Sequence, residues 1–502
     1  MVCSTIREIL VQTAERFGKE DAVRYKVGKN EIESKSYAQL KEDSERFSGV
    51  LKSLGELGGH VAMTGRTSYQ WLVAYLGTVN SGSVAVPLDV SLPAEEMCEL
   101  IDRADVTVLV LDEIRSDVMA IVRQQCPKLK YLISMQKAPS DEMALSLEQL
   151  LKEQEESFAF SPEPEQLCTI MFTSGTTGKS KGVMLTHRNL AENATCLDMK
   201  IPERTVLLSV LPIHHAYCLS MDILKGMSLG AVICINDSLI RVVKNIKLFQ
   251  PNMILMVPLM IETISKKLEE TAWIPPALVK NKIFGKQFHT ICSGGAYLNP
   301  AYIDLFEKYG ITIQQGYGMT ECAPVISTNV SWNIKKDTVG QLLPNCEAKV
   351  VEEELWVRGS SVMQGYYKMP EETAETLQDG WLKTGDLGYV DEEGFIYLTG
   401  RKKNLIITKN GENVSPEELE NKIGSNRLVQ EVLVRENEGV IEAEIYPDYE
   451  YAKKKKISDM SAELQKIIDE YNQGAPAYKK VYRIKVRETE FEKTPSKKIK
   501  RF

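Results

Sequence analysis

Residues Thr169–Gly182 read TIMFTSGTTGKSKG, the most unusual stretch of this 502-residue chain. The apolar run Ile170–Phe172 predicts a buried strand, which ends in hydroxyl side chains, glycines and lysines. Hydroxyl and backbone N–H donors form cradles for phosphate groups, and glycines let the backbone come close to such a ligand. Lys179 and Lys181 add positive charge. The stretch therefore predicts a phosphate site at the end of a strand.

The same stretch resembles a Walker A loop, G-x-x-x-x-G-K-[ST]. Residues Thr173–Ser180 fit that pattern except at the first position, where Thr replaces Gly. The loop then continues through Lys181–Met184, and Thr186–Asn189 predicts the capped start of a helix. A P-loop ATPase therefore stays open at this point, beside a second kind of phosphate site. An ordinary surface turn is disfavoured by the density of special residues.

Composition is that of an ordinary globular protein, with 43% apolar and 26% charged residues. The ten cysteines form no CxxC pair and no zinc-ligand spacing, which predicts reduced, mostly buried thiols and a cytoplasmic location. The N-terminus lacks the apolar core of a signal peptide. The longest apolar run, Met253–Ile261, is interrupted by Pro258 and is too short to span a bilayer.

Charge is distributed unevenly around the net value of −8. Residues 401–502 carry 22 basic and 18 acidic side chains, so the first 400 residues carry 39 and 51. Residues 479–501 alone hold ten basic and three acidic side chains. This cluster predicts a polyphosphate ligand, because no nucleic-acid-binding motif accompanies it.

The pattern of apolar runs predicts an α/β fold. Between residues 60 and 318, short buried strands alternate with amphipathic helices, which indicates helix-covered, mostly parallel sheets. The predicted strands are His60–Met63, Ser83–Val86, Val106–Leu111, Thr169–Phe172, Val206–Val210, Ala231–Ile235, Met253–Val257, Thr290–Cys292 and Ile311–Gln314. So many strands predict more than one sheet.

Three regions follow from these patterns. Residues 1–400 are predicted to form a large N-terminal domain, with a β-rich subdomain at about 330–400. Residues 401–502 are predicted to form a small α+β domain. The junction is the polar segment Gly400–Asn404.

Five further motifs accompany the phosphate loop. They are 211–217 (LPIHHAY), 293–296 (SGGA), 315–321 (QGYGMTE), 381–386 (WLKTGD) and 494–501 (TPSKKIKR). In order and spacing, together with S-G-T-T-G-x-x-K-G-V, they resemble the adenylate-forming superfamily of acyl-CoA synthetases, luciferases and peptide-synthetase adenylation domains. The resemblance covers nearly the whole chain and is strongest to bacterial long-chain fatty acid–CoA ligases (AMP-forming).

The resemblance implies an ATP- or AMP-binding site on these motifs. Adenine is expected to stack on Tyr317 beside Ala296, and the ribose to bind Asp386 and Arg401. The implied nucleotide-binding residues are Thr173, Ser174, Gly175, Thr176, Thr177, Gly178, Lys181, Gly294, Gly295, Ala296, Gly316, Tyr317, Gly318, Asp386 and Arg401.

The resemblance also implies the catalytic residues, which are Lys498, Thr320, Glu321 and His215. Thr320 is expected to contact the α-phosphate and Glu321 to hold Mg²⁺. His215 is expected to line the carboxylate pocket, whereas its neighbour His214 is interpreted as an ordinary, satisfied loop histidine.

Three tail and junction residues receive roles from the same resemblance. Lys498 is expected to bridge the acid and the α-phosphate, although Lys497 stands where many members have Gly, and either lysine could be the working amine. Lys403 matches the hinge about which, by the resemblance, a mobile C-terminal domain moves relative to the N-terminal ATP- and acid-binding domain. Gly411 matches the loop that faces the thiol tunnel.

The implied reaction has two steps. A carboxylate attacks the α-phosphorus of Mg·ATP, and a thiol, of coenzyme A or of an acyl carrier protein, then takes the acyl group. An amino acid substrate is disfavoured, because no acidic residue follows His215 before Asp222. We expect a medium- or long-chain fatty acid, with an aryl acid as the alternative, no nucleic acid or transmembrane segment, and peripheral membrane contact left open.

Overall fold

A computed structural model describes residues 2–28, 31–173, 179–408, 411–493 and 499–501. The chain divides into two compact units, Met1–Ala348 with Val357–Leu382, and Lys349–Trp356 with Lys383–Phe502. Within the described residues, no helix is long and apolar enough to cross a bilayer.

Strands occur along the whole chain. They are β1 (Asp21–Lys26), β2 (Ile32–Ser36), β3 (His60–Thr64), β4 (Val84–Leu88), β5 (Val106–Leu111), β6 (Tyr131–Ser134), β7 (Leu145–Ser146), β8 (Leu167–Thr173), β9 (Lys181–Thr186), β10 (Val206–Ser209), β11 (Val232–Ile235), β12 (Met253–Met256), β13 (Thr290–Ser293), β14 (Thr312–Gly318), β15 (Val325–Thr328), β16 (Gln341–Leu342), β17 (Cys346–Val351), β18 (Glu354–Gly359), β19 (Gly365–Tyr366), β20 (Leu377–Gln378), β21 (Trp381–Val390), β22 (Ile396–Arg401), β23 (Ile406–Ile407), β24 (Asn413–Val414), β25 (Val429–Asn437), β26 (Val440–Pro447) and β27 (Arg483–Val486).

Helices separate many of these strands. They are α1 (Ile6–Phe17), α2 (Tyr37–Ser53), α3 (Tyr69–Asn80), α4 (Ala94–Arg103), α5 (Ser116–Gln125), α6 (Leu147–Glu153), α7 (His187–Thr195), α8 (Lys225–Ser228), α9 (Val242–Phe249), α10 (Pro258–Glu270), α11 (Pro276–Ile283), α12 (Pro300–Glu307), α13 (Pro370–Thr376), α14 (Pro416–Ile423), α15 (Tyr449–Lys455) and α16 (Met460–Gly474). A π-helix, Cys218–Leu224, precedes α8.

Two large sheets form the frame of the first unit. One has the order β16-β15-β14-β13-β12-β10-β11-β1-β2, and the other β19-β9-β8-β4-β3-β5-β6-β7. The central neighbours pair in parallel, whereas antiparallel strands close both ends of the first sheet and one end of the second. The α/β class and the presence of more than one sheet are therefore confirmed, and all nine predicted strands occur with bounds shifted by a few residues.

Burial explains why the sequence reads this way. Every residue of β4 and nearly every residue of β3 and β5 is buried, because helices cover both faces of a parallel sheet. Local signals set the helix ends: Thr186 caps α7 in a reciprocal capping box with Asn189, as predicted. All ten cysteines are free thiols, and Cys196 alone among them is only partly buried.

The second unit has a hydrophobic core of its own. Strands β25, β26 and β27 form a three-stranded sheet, and β23 pairs with β24. Leu419 and Ile423 of α14 and Leu464 and Ile468 of α16 pack in one buried cluster with residues of that sheet. In the same unit, β21 and β22 pair antiparallel, with Asp386 opposite Arg401.

Candidate active site

Several predicted site residues lie at one edge of the nine-stranded sheet. Strands β10, β12, β13 and β14 are parallel neighbours, so their carboxyl ends meet at this edge. His215 follows β10, Gly294–Ala296 follows β13, and Tyr317–Glu321 lies at the end of β14. Ligands of open α/β sheets bind at such edges. The fold thus brings together three motifs that are distributed over residues 215–321 of the sequence.

Two glycines at this edge are required by close packing. A Cβ on Gly294 would lie 3.2 Å from the ring of Tyr217, and one on Gly318 would overlap the carbonyl oxygen of Pro324 at 1.9 Å. Gly294 therefore allows the loop after β13 to lie against an aromatic ring. Gly318 lets β14 pair closely with β15, which fixes the start of the turn Thr320–Cys322.

The phosphate stretch lies at the turn between two antiparallel strands. Thr173, at the end of β8, is the register partner of Lys181, at the start of β9. A Walker A loop connects a strand directly to a helix, so the P-loop reading is wrong for this chain. The predicted contacts Ser174, Gly175, Thr176, Thr177 and Gly178 lie outside the described residues.

Tyr366 connects the stem of this loop to Glu321. Its hydroxyl donates a hydrogen bond to Oε1 of Glu321 at 2.9 Å, and the ammonium of Lys181 lies 4.7 Å from its ring centroid. Burial and the Glu321 carboxylate raise the pKa of Tyr366, so the hydroxyl stays a donor. The sequence analysis missed this residue. The pair of tyrosines after Gly365 is the signal that could have drawn attention to it.

Two further residues support this region. Arg103 donates to the carbonyl of Ser180 at 2.8 Å, and its guanidinium lies 5.7 Å from the ring centroid of Phe172. It therefore contacts both stems of the phosphate loop. Asp105 accepts from the hydroxyl of Tyr367 at 2.6 Å and pairs with Lys368 at 2.5 Å. Tyr367 and Lys368 follow Tyr366 directly in the chain, and neither Arg103 nor Asp105 was predicted.

The two adjacent histidines differ in their surroundings. Their ring centroids are 4.3 Å apart, His215 reaches solvent and His214 is buried. Burial and the neighbouring His215 lower the pKa of His214 to about 3, and burial also lowers the pKa of His215, so both rings are neutral at pH 7. Nε2 of His214 lies 3.5 Å from Asp89 without forming a hydrogen bond. The interpretation of His214 as a satisfied histidine is therefore wrong.

Asp222 lies in the π-helix that follows these histidines. Its side chain is fully buried, and among the described residues Oδ1 has no hydrogen-bond partner while Oδ2 has the thiol of Cys218 at 3.8 Å. Burial raises the pKa of Asp222 to about 7. π-helical turns are frequent at functional sites, because they realign the side chains of a helix.

The residues at this edge fit a magnesium ion bound jointly with phosphate. In nucleotide sites Mg²⁺ takes one or two carboxylates and completes its shell with phosphate oxygens and water. Glu321 supplies one nearly buried carboxylate. No cluster of three or more His, Cys, Asp or Glu in the described part of the chain could hold a metal without such help.

The second unit carries the remaining predicted residues. Nε of Arg401 lies 2.6 Å from Oδ1 of the buried Asp386, so the two expected ribose contacts are neighbours. Lys403 lies in a 3₁₀ turn, Lys402–Asn404, and burial together with Arg401 and Arg501 lowers its pKa. Gly411 has a φ of +83°, and its backbone N–H donates to the carbonyl of Thr408. Lys497 and Lys498 lie outside the described residues.

Comparison with known proteins assigns the chain to a family. The model of the AMP-binding enzyme family matches residues 10–367, and the model of the AMP-binding enzyme C-terminal domain matches residues 403–502. The chain belongs to the AMP-binding enzyme family. It is an AMP-forming acid–thiol ligase, and the family implies ATP and coenzyme A as its co-substrates.

Individual members of this AMP-binding family resemble the chain over most of its length. A long-chain-fatty-acid–CoA ligase of Escherichia coli O157:H7 is 28% identical over 453 residues, covering 79% of this chain and 77% of the relative. The AMP complex of o-succinylbenzoate coenzyme A synthetase from Bacillus subtilis has a TM-score of 0.78 at 25% identity, covering 98% and 96%. The anthranilate CoA ligase AuaEII with anthranoyl-AMP has a TM-score of 0.85 at 21% identity, covering 99% and 95%. These structures have the fold described above.

Proposed function

We propose that this enzyme converts a medium- or long-chain fatty acid into its acyl-AMP and transfers the acyl group to the thiol of coenzyme A. The observation that carries the adenylation step is the link from Lys181 through Tyr366 to Glu321. It joins the stem of the phosphate loop to the sheet edge where motifs 293–296 and 315–321 lie. Positioned cations and donors are what phosphoryl chemistry requires from a protein.

In the first step, the acid carboxylate attacks the α-phosphorus and pyrophosphate leaves. Thr320 is proposed to contact the α-phosphate, while neutral His215 orients the acid by a hydrogen bond. Tyr317 and Ala296 bind the adenine, and Asp386 and Arg401 bind the ribose. A Mg²⁺ ion held by Glu321 and the phosphates would neutralise charge on the oxygens.

Lys498 is proposed to stabilise the charge that develops between the acid and the α-phosphate. The small domain, residues 401–502, then moves about Lys403 and withdraws this lysine. The loop around Gly411 faces the thiol, which attacks the acyl carbonyl and releases AMP. Lys497 is the alternative amine and is tested beside Lys498.

The fatty acid is favoured by the E. coli relative and by the apolar surroundings of the site. Met227, Met253 and Met256 are buried, and Met221 packs against the cluster of Val325, Leu343 and Cys346. Flexible thioether side chains adapt to apolar ligands, and methionines are also common in hydrophobic cores. An aryl acid is the second candidate, because two similar structures are ligases of aryl acids.

ATP–pyrophosphate exchange without any thiol tests this proposal. The acids are octanoate, palmitate, benzoate, anthranilate and an amino acid, each with Mg²⁺. We expect exchange with the fatty acids. Stronger exchange with an aryl acid would instead identify an aryl acid as the substrate. Exchange with none of them, accompanied by phosphate release from ATP, would contradict adenylation. Adding coenzyme A or a phosphopantetheinylated carrier protein to the active acid then identifies the acceptor.

A further inference from the structure

Arg501, the last described residue of the chain, pairs with carboxylates of α14 in the small unit. Nη1 of Arg501 donates to Oε1 of Glu420 at 2.9 Å, and Nη2 contacts Oε2 of the same carboxylate. Nη2 also lies 3.3 Å from Oε1 of Glu417, one turn earlier on α14. A two-pronged arginine–carboxylate pair fixes direction as well as distance.

The acceptor of this pair is itself rigid. Only 12% of the Glu420 side chain is exposed, and the carboxylate also accepts the N–H of Val434 at 2.7 Å. Leu419 and Ile423 bury the adjacent face of α14 in the core of the unit. Arg501 therefore pairs with a carboxylate that is held by a second hydrogen bond, on a helix packed into the core.

A second set of contacts holds the chain just before the tail segment. Lys493 forms a β-bridge with Ile499, and the N–H of Lys500 donates to the carbonyl of Glu492 at 2.9 Å. The ammonium of Lys493 pairs with Glu431 at 2.5 Å. Both ends of segment 494–498 are thus fixed to the same unit, with Glu431 on β25 at one end and Glu420 on α14 at the other.

Glu417 extends these contacts to the expected hinge. Its carboxylate accepts from Nδ2 of Asn404 at 2.5 Å and from the hydroxyl of Ser415 at 3.0 Å. Asn404 ends the 3₁₀ turn that contains Lys403. The chain end, α14 and the junction therefore belong to one connected group of side chains.

We propose that Glu420 is a positioning residue for acid activation. It holds Arg501, so the chain end moves with the small unit as one body and delivers Lys498, three residues earlier, to the reacting groups. The proposal rests on the role given above to Lys498. Because the thiol step is proposed to proceed after that lysine has been withdrawn, loss of Glu420 should slow the first half-reaction and spare the second.

The test measures the two half-reactions separately in the full-length enzyme. Acid activation is followed by ATP–pyrophosphate exchange with the best acid of the panel. The thiol step is followed with the corresponding acyl-AMP and coenzyme A. The variants are Glu420→Gln, Arg501→Lys, the double variant, and Lys498→Ala. Glu418→Gln is the matched control, because it lies on the same helix but pairs with Lys422 and Lys479.

We expect Glu420→Gln to lower exchange by between about tenfold and about a hundredfold, since misplacing a reacting group by about 1 Å can cost about a hundredfold. The thiol step should change less than about twofold, and so should both steps in Glu418→Gln. The double variant should be no slower than the slower single variant, since each acts through the other. Arg501→Lys keeps the charge but loses the bidentate hydrogen bonding to Glu420. It therefore tests the Arg501–Glu420 contact even if Glu420→Gln folds poorly.

Three results would overturn the inference. Equal loss of both half-reactions, with a lower thermal midpoint, would make Glu420 a structural residue only. Unchanged exchange in Glu420→Gln would show that the pair is irrelevant to activation. If Lys498→Ala leaves exchange intact while Glu420→Gln lowers it, the assigned lysine is wrong and the positioning role falls with it. Loss of exchange in Lys498→Ala alone leaves the proposed function standing and removes only this inference.

Discussion

At the scale of single residues, the hydroxyl of Tyr366 is predicted to strengthen Mg²⁺ binding, although it contacts no substrate in our proposal. Tyr366→Phe removes the hydrogen bond to Glu321 and leaves the ring beneath Lys181. A hydrogen bond to a charged group is worth about 1.5–3 kcal/mol. We expect the Mg²⁺ concentration needed for half-maximal exchange to rise about tenfold, because the Glu321 carboxylate loses its fixed orientation.

The control for Tyr366→Phe is its neighbour. Tyr367→Phe loses an equivalent hydroxyl, which donates to Asp105, and should leave the Mg²⁺ requirement unchanged within about twofold. Calorimetry of ATP binding with and without Mg²⁺ gives a readout independent of turnover. An unchanged Mg²⁺ dependence in Tyr366→Phe would contradict the positioning of Glu321 by this hydroxyl.

Asp222 predicts a pH dependence of stability. Its pKa is about 7 in the folded chain, against an ordinary value of 3.8. The native state therefore keeps a proton that the unfolded state releases, and stability falls as pH rises from about 4 to 7. The penalty above pH 7 is of order 4 kcal/mol, and Asp222→Asn should remove most of it.

Thermal unfolding at pH 5, 6, 7 and 8 measures this effect. The midpoint of Asp222→Asn relative to the unsubstituted enzyme should rise from pH 5 to pH 7 and then level off towards pH 8. Asp304→Asn is the matched control, because that side chain is exposed and paired with Lys336 at 2.6 Å. A constant difference across the four pH values would show that Asp222 is ionised in the native state throughout.

At the scale of elements, α4 is predicted to stabilise the phosphate-loop stems through Arg103. Arg103→Ala removes the hydrogen bond to Ser180 and the contact with Phe172. We expect the KM for ATP to rise roughly tenfold while the KM for the acid stays constant, since the lost contacts border the phosphate loop alone. The control is Glu99→Gln, whose carboxylate pairs with Arg103 from an exposed position. A parallel rise in both KM values would contradict a local role.

The elements also show what a sequence can predict. Apolar runs identified the strands, and Thr186 with Asn189 identified the start of α7, because these signals are local. The antiparallel pairing of β8 with β9 is not local, and it is the structural feature that distinguishes this loop from a Walker A loop. The resemblance drew attention to Tyr317 and Glu321, whereas Tyr366, the hydrogen-bond partner of Glu321, is 45 residues away from it and comes from another sheet.

Supporting residues were missed for the same physical reason. Arg103 reaches Ser180 across 77 residues of sequence, and Asp105 reaches Tyr367 across 262. Each is an ordinary charged residue in its own neighbourhood, so no pattern distinguishes it from a solvated side chain. His214 was misinterpreted because its burial, and the lack of a partner for Nε2 among the residues that the structure describes, cannot be read from its neighbours in sequence.

At the scale of the whole molecule, the small unit has a hydrophobic core formed by its own residues. Every residue of its buried cluster lies between Ile406 and Val486. A cluster of this kind, drawn from two helices and a three-stranded sheet, is what an independently folding domain needs. Movement of this unit as one body, which our proposed function requires, is consistent with such a core.

This leads to a prediction for an isolated fragment. Residues 403–502, expressed alone, should unfold cooperatively in urea, with an m-value of about 1 kcal/mol/M for a domain of this size. Leu464→Ala should lower the midpoint, because Leu464 is fully buried and its truncation costs about 2–5 kcal/mol. Gln465→Ala, at an exposed position of the same helix, is the control. A fragment without a cooperative transition would mean that the core needs the large unit, and a rigid-body movement about Lys403 would then lose its physical basis.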